Sequence, residues 1–495
     1  MALVDPGPYV LVRFLFRRGL ALVYLIAFLV AVGQFRPLSG EDGLLPLGAR
    51  VARQRFRDVP SLFQVAPTDR AVGAAAWLGV GLSVLALLGL PARFGTIPSM
   101  LVWAALWALY LSFVNAGGTF YGFGWESMLL ETGFLAIFLG GAGIDAPVIV
   151  IWLLRWLLFR NMFGAGMIKL RGDDCWRDLT CLDYHYETQP MPNPLAWHAH
   201  HLPDGVHRAG VLMNHVVELA IPFLYFAPQP FAAIAGVVTI LFQGWLSVTG
   251  NFSWLGLLTA VLAVSTFSDG MLAWAIPSAA WSVGPASTVP PMPGWLSIAV
   301  VALAVLVAIL SVRPVWNMVS PGQAMNASYD PLRLVNTYGA FGSITRKRYE
   351  IVIEGTDEET VTAETEWRAY AFPGKPGDPS KRPPQVAPYH HRLGWQLWFA
   401  AMRPSPRGQP WFNRLLEQLL EGDEAVQSLT AVNPFPDEPP AHVRAVRYRY
   451  RFTTPEERAE TGDWWRRERV GTYVPPRSRD GPVGRGIRPE RTALY

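Results

Sequence analysis

Charge, lysine and cysteine are all scarce in this chain. Only 16% of its 495 residues are charged and 51% are hydrophobic, whereas a soluble globular domain carries roughly a quarter charged residues. A wholly water-exposed fold is excluded. Lysine occurs four times, as Lys169, Lys347, Lys375 and Lys381, so the basic residues are nearly all arginine. The formal net charge of +4 is small for this length, and no basic patch interleaves with aromatics. A nucleic-acid partner is therefore not expected. With Cys175 and Cys181 alone, five residues between them, there is neither a CxxC redox pair nor half a zinc finger.

What is present is apolar sequence in long runs. Candidate spans are Leu20–Val32, Gly73–Leu90, Ile97–Val114, Trp125–Leu139, Val148–Lys169, Gly210–Phe226, Phe231–Val248, Trp254–Trp274 and Trp295–Val312. A bilayer core needs about 20 apolar residues per helix. The expected fold is a polytopic α-helical membrane bundle of about 8–9 spans with a C-terminal β-rich soluble domain. Arg13, Arg17 and Arg18 place the N-terminus inside, although the loop from Gln34 to Ala71 is also arginine-rich. An odd number of spans sets the cysteine-bearing loop and the C-terminal part outside, where a disulfide persists.

The expected division is a membrane domain over 1–316 with an extracytoplasmic loop at 170–209, a soluble domain over 317–473, and a poorly ordered tail at 474–495. Alternation in "RYEIVIEGT" and "AHVRAVRYRYRFT" predicts strands. "GWQLWFAAM" and "PWFNRLLEQLLEG" predict short amphipathic helices.

Ionisable residues inside apolar runs are functional candidates, because a charge at the bilayer centre costs several kcal/mol. Glu126 and Glu131 point about 140° apart on one helix, which excludes a paired acid and base; Glu126 reads as interfacial. Arg155 and Arg160, one span later, are natural counter-charges. Lys169 ends that span. It either snorkels to the interface or is a desolvated base. Gly164 and Gly166 beside it let another helix approach. His215 and Glu218 share a helical face near Asn214 and either satisfy buried polar groups or shuttle a proton. In an enzyme, Lys169, His215, Glu218 and Glu131 would be the catalytic set around a polar cavity. Asp183, His185, Glu187 and the later histidines have no recognisable metal-ligand spacing. No metal and no cofactor is expected. "QPMPNPLAW" is extended and stiffened by three prolines, fit to lie over a surface or plug a cavity mouth.

The blocks "LLETGFLAIFL", "FGAGMIKLRGDDCWRDLTCLDYHYETQPMPNPLAWH", "LVNTYGAFGSITRKRYEIVIEGT", "APYHHRLGWQLWFAAM" and "NPFPDEPPAHVRAVRYRYRFT" resemble, in this order, the lipase maturation factor family. The resemblance implies a multi-pass membrane protein with a large lumenal or extracytoplasmic C-terminal domain. In animals the family acts in the endoplasmic reticulum membrane and assists folding and assembly of secreted lipases. It implies a chaperone rather than an enzyme, with an exported protein such as a lipase and membrane lipid as partners. The residues carried over are Cys175 and Cys181, expected as a disulfide, and Asn336, Tyr338, Trp395 and Trp398, expected as partner-binding on exposed aromatic patches. The arginine-over-lysine bias and the Ala, Gly and Pro richness point to a GC-rich bacterium, to which the animal client does not transfer. A weaker likeness, the "AG..KL"-like helix end at Lys169, reaches vitamin K-dependent carboxylases and is the basis of the enzyme alternative.

Overall fold

Helix length sorts the nine apolar runs. The computed structural model describes residues 9–275, 290–479 and 481. Among them seven helices are long and apolar enough to cross a membrane. These are α1 (Val10–Ser39), α2 (Asp69–Leu88), α3 (Thr96–Ala116), then, after the short α4 (Gly124–Ile137), α5 (Val148–Arg171). Beyond the small helix α6 (Leu182–Thr188) follow α7 (Asp204–Phe226), α8 (Phe231–Thr249), the short α9 (Leu255–Thr266) and the long α10 (Gly294–Val319).

Two runs thus fall short of a free bilayer span, although α4 still runs from Glu126, which meets Arg392, to the turn at Leu139 and Gly140, which meets Arg13 and Arg17. Helix α4 has 14 residues, about 21 Å of helix against a hydrocarbon core of about 30 Å. It is almost wholly buried by protein rather than lipid. The run Trp254–Trp274 breaks into α9 and a separate helix, Asp269–Ala275. The break has polar causes. The Ser265 and Thr266 hydroxyls donate back to the carbonyls of Leu262 and Ala263, both at 2.7 Å, and Arg155 draws the Ser265 carbonyl aside at 2.7 Å. Irregular backbone at this depth is tolerated because protein encloses it. Asp269 beyond the break accepts the backbone N–H groups of Leu11 and Val12 at 3.0 and 3.1 Å. It thereby satisfies the open N-terminal donors of α1.

The N-terminal arginines do the complementary work. Arg13 donates to the carbonyls of Leu139 and Ala142, Arg17 to Gly140, and Arg18 to Ala86 and Leu88. Each occupies carbonyls left open where α4 and α2 end. About 32 Å further along α1, Gln34 donates to the His390 carbonyl at 2.7 Å. The arginines and the C-terminal part therefore sit at opposite ends of the bundle.

That C-terminal part holds an antiparallel sheet of four strands among the described residues, ordered β2 (Arg368–Ala369), β1 (Arg348–Thr356), β3 (His442–Phe452), β4 (Trp465–Ser478). Strand β1 pairs with β3 from Arg348↔Tyr450 to Thr356↔His442. It is buried nearly throughout rather than on alternate residues, because helix α11 (Arg392–Ala401) packs against it. Strands β1 and β3 and helices α11 and α12 (Pro410–Glu421) fall where periodicity places them. Strand β4 runs past 473 to Ser478. Of the expected loose tail, residue 480 and residues 482–495 lie outside the described residues.

The sheet is not merely hung from α10. One hydrophobic core runs from α1 through α5 into α11 and α12, and the proline-stiffened segment is clamped between the two parts. Arg348 donates to the carbonyls of Glu187, Gln189 and Pro190 at 2.9, 2.5 and 3.1 Å. From the bundle side, Asn251 donates its backbone N–H to Met191 O at 3.2 Å.

Candidate functional site

Charge buried in apolar surroundings must be paired, and the pairing organises this molecule. Glu131 on α4 pairs with Arg160 on α5, both almost fully buried. The same carboxylate accepts the Asn336 backbone N–H at 3.0 Å, the Asn336 amide at 3.2 Å and the Tyr338 hydroxyl at 2.7 Å. Arg160 in turn donates to the Asn336 carbonyl at 2.7 Å. The expected clamp between adjacent helices exists, and the segment after α10 completes it. Arg155 takes no part; besides Ser265 it donates to the Tyr225 carbonyl at 3.2 Å.

Glu126 is not interfacial. It is fully buried and accepts from Arg392 on α11 at 2.7 Å and from the Tyr110 hydroxyl. Arg392 also donates to the Phe120 carbonyl at 2.8 Å and stacks 3.4 Å from the centre of the Tyr121 ring. His390 lies beside this pair, its Nδ1 3.8 Å from Glu126, and neither ring nitrogen is hydrogen-bonded among the described residues.

Lys169 does not snorkel. Its ammonium is buried and donates to both Glu218 oxygens at 2.5 and 2.7 Å and to Asn214 Oδ1 at 3.0 Å. Asn214 Nδ2 completes the triangle to Glu218 at 2.9 Å. His215, expected on this face, turns away and its Nε2 lies 2.9 Å from the Trp176 carbonyl. Asn214 and Glu218 are four residues apart and so share a helical face, while a π-helical turn follows at Val216–Ala220. Gly166 leaves room for Glu218 and Leu219 of that turn, as a helix-approach position should. Gly164 and Gly172 instead meet extended chain, the carbonyls of Tyr338 and Gly342.

The Lys169 triangle forms part of the wall of a cavity of about 610 Å³ between α5, α7, α8 and the loop helices. Its lining is mostly apolar, with His185, Ser253 and Thr259 among the polar exceptions. Glu131 and His215 are not in the lining. The four candidate catalytic residues thus do not converge, and nothing found supports the carboxylase-like alternative.

Cys175 and Cys181 form a disulfide with Cα atoms 4.7 Å apart. The loop packs on Trp176, Val211 and Ile344 and is tied to the C-terminal part by Asp173. Asp173 accepts from Arg346 at 2.6 Å and from Cys175 N at 3.1 Å, and these bonds hold its carboxyl down at about 2. Among the described residues no three His, Cys, Asp or Glu side chains gather as a metal site would require.

The expected exposed aromatic patch is largely corrected. Asn336, Tyr338 and Trp395 are buried, Trp395 against Phe123 and Trp125 with ring centres 5.6 and 5.0 Å away. Trp398 is half-buried and donates to the Thr188 carbonyl at 3.0 Å. What α11 exposes instead is Phe399, with Met402 just after it. Trp398 and Met402 line a groove of about 330 Å³ together with Lys347, Tyr349 and Arg447. Sequence reasoning missed Arg392 and His390, although the block "APYHHRLGWQLWFAAM" contains both. Their only local signal was the run His390-His391-Arg392 leading into an otherwise apolar helix.

Comparison with known proteins follows the same two parts. The profile of the lipase maturation factor transmembrane domain matches residues 11–274, and that of the lipase maturation factor C-terminal domain matches residues 334–475. Human lipase maturation factor 1 is 44% identical over 95% of this chain and 88% of its own length. The bovine protein of that name is 42% identical over 96% and 90%. Human lipase maturation factor 2 is 31% identical over 95% and 83%. No solved structure matches. The chain belongs to the lipase maturation factor family.

Proposed function

We propose that this protein is a membrane-embedded maturation factor that assists the folding or assembly of exported lipases. The observation that carries the reading is the match to maturation factors across both the bundle and the C-terminal part. The fold is consistent with it: buried ion pairs and one core join the two parts, so the bundle presents the C-terminal part in a fixed pose. The face offered to a client is the groove beside α11, with Trp398 and Met402 as apolar contacts and Lys347 and Arg447 around them. Apolar side chains rimmed by charge are what a transient protein contact uses.

In this reading the cysteine loop and the C-terminal part face the extracytoplasmic side. Two observations support that placement: the disulfide, and the position of Arg13, Arg17 and Arg18 at the other end of α1.

The test is co-expression with an exported lipase in a host lacking the protein, scoring lipase activity per unit of secreted lipase. Wild type is expected to raise that ratio, and Met402→Asp to lower it while the protein's own melting temperature holds. A ratio indifferent to the protein's presence would end the proposal.

A further inference from the structure

The cavity behind Lys169 is lined by none of the residues of the Glu126–Arg392 and Glu131–Arg160 pairs. Met162 and Ala165 of α5, Val217 of α7 and Phe242 of α8 supply apolar wall. Its volume of about 610 Å³ lies within the usual range of small-molecule sites, roughly 300–1,000 Å³. It opens sideways: Met213 of α7 and Leu241 of α8 line it and are 60% and 68% exposed on membrane-crossing helices. Exposed apolar side chains on such helices suit contact with lipid tails.

At the inner end are polar groups without protein partners. His185 is only 8% exposed and lines the cavity. It packs against Phe252 and Phe341, with ring centres 6.1 and 5.2 Å away, and neither ring nitrogen is hydrogen-bonded among the described residues. The Ser253 hydroxyl, next to Phe252 and also in the lining, is buried and unpartnered among the described residues. A few polar groups set in a mostly apolar lining are what orient a ligand in such a site.

The charges decide what kind of ligand. Lys169 directs its donors at Glu218 and Asn214, so the wall is neutral overall. Burial, helped by the nearby Lys169, lowers His185 to about 4 and keeps its ring uncharged at neutral pH. An incoming carboxylate or phosphate would find no free cation and would face Glu218 in apolar surroundings. A hydroxyl or ester carbonyl suits a neutral imidazole and a serine hydroxyl, which both donate and accept.

We propose that this cavity binds an acyl chain of a neutral glycerolipid of the diacylglycerol class, entering from the bilayer between α7 and α8, with its glycerol hydroxyl or ester carbonyl on His185 and Ser253. The site is independent of the client reading, because lipid binding is measured with no lipase present.

The test reconstitutes the full-length protein in phosphatidylcholine nanodiscs carrying a small share of diacylglycerol, oleic acid or phosphatidic acid. The protein is then purified and the lipid it retains is quantified by mass spectrometry. Diacylglycerol is expected to be retained at about tenfold its share of the membrane, a preference of about 1.4 kcal/mol. His185→Phe, which keeps the ring but loses the nitrogens, is expected to return that preference to the bulk share. Ala165→Phe fills the cavity and is expected to abolish retention; if it does not fold, Ala165→Val is expected to lower retention. Retention in proportion to membrane composition would overturn the proposal. So would a preference for oleic or phosphatidic acid, or equal retention in wild type and the cavity-filling variants.

Discussion

Replacing Glu126 by glutamine removes one charge and almost no volume. The neighbours stay in reach: Arg392 Nη1 at 2.7 Å and the Tyr110 hydroxyl. What changes is that the Arg392 guanidinium, fully buried, no longer has a counter-charge. Breaking a buried pair from one side costs about 3–5 kcal/mol, because the remaining charge stays desolvated. Arg392→Met makes the opposite error and strands Glu126. The double variant strands neither, so it is expected to be less destabilised than the sum of the singles by up to about 3 kcal/mol. At roughly 2–4 °C per kcal/mol for a large domain, each single variant should melt roughly 6–20 °C below wild type. Tryptophan fluorescence in nanodiscs reads this directly, since Trp125, Trp254 and Trp395 surround the pair. Two melting shifts that simply add, or single variants within about a degree of wild type, would refute the argument that the pair joins the two parts.

Gly164→Ala sets a methyl group against the Tyr338 carbonyl and is expected to cost about 1–3 kcal/mol, read as a lower melting temperature. Gly205→Ala, where a Cβ meets open space, is the control. Stability is expected to be full above pH 6.5 and to fall as the pH drops toward 4. Burial lowers His185 to about 4 and His390 to about 3, so in that window the unfolded chain binds protons that the folded chain refuses. Lys169 faces the first ring and Glu126 and Arg392 the second, and burial lowers His200 and His391 to about 4 as well; a melting-temperature profile whose acid slope His390→Gln leaves unchanged would contradict the assignment. Cys175→Ser is expected to lower stability by about 2 kcal/mol, near the low end for disulfides because the loop is short. In intact cells the wild-type cysteines are expected to resist thiol alkylation until reduced; free thiols would overturn the extracytoplasmic placement.

The parts of the fold legible in the sequence are those whose signal is local. A run of apolar residues states its own length, and α11 and α12 show their periodicity within a dozen residues. The cysteines, alone in the chain, had only each other. The site was less legible because its determinants act at a distance. Nothing near Glu126 announces a partner on α11, and Arg392 is 266 residues away. Helical spacing offers Glu218 both Asn214 at i−4 and His215 at i−3, and only the Trp176 carbonyl, from another part of the chain, draws His215 away. Trp395 reads as a sticky surface residue in isolation, but it packs on Trp125 of a helix far back in the chain.

That distance is also a duration. At roughly 5–20 residues per second of synthesis, the ribosome needs roughly 15–50 s to travel from Glu126 to Arg392. Throughout that interval the bundle holds a carboxylate whose counter-charge has not yet been made. Helices α1 to α5 can enter the membrane, but their packing around Glu126 cannot close. A chain that stops short of α11 carries this defect permanently, with an unpaired acid exposed to whatever surveys the membrane for incomplete proteins. Arg392 therefore reports, from inside the bundle, that the C-terminal part has been made and has docked.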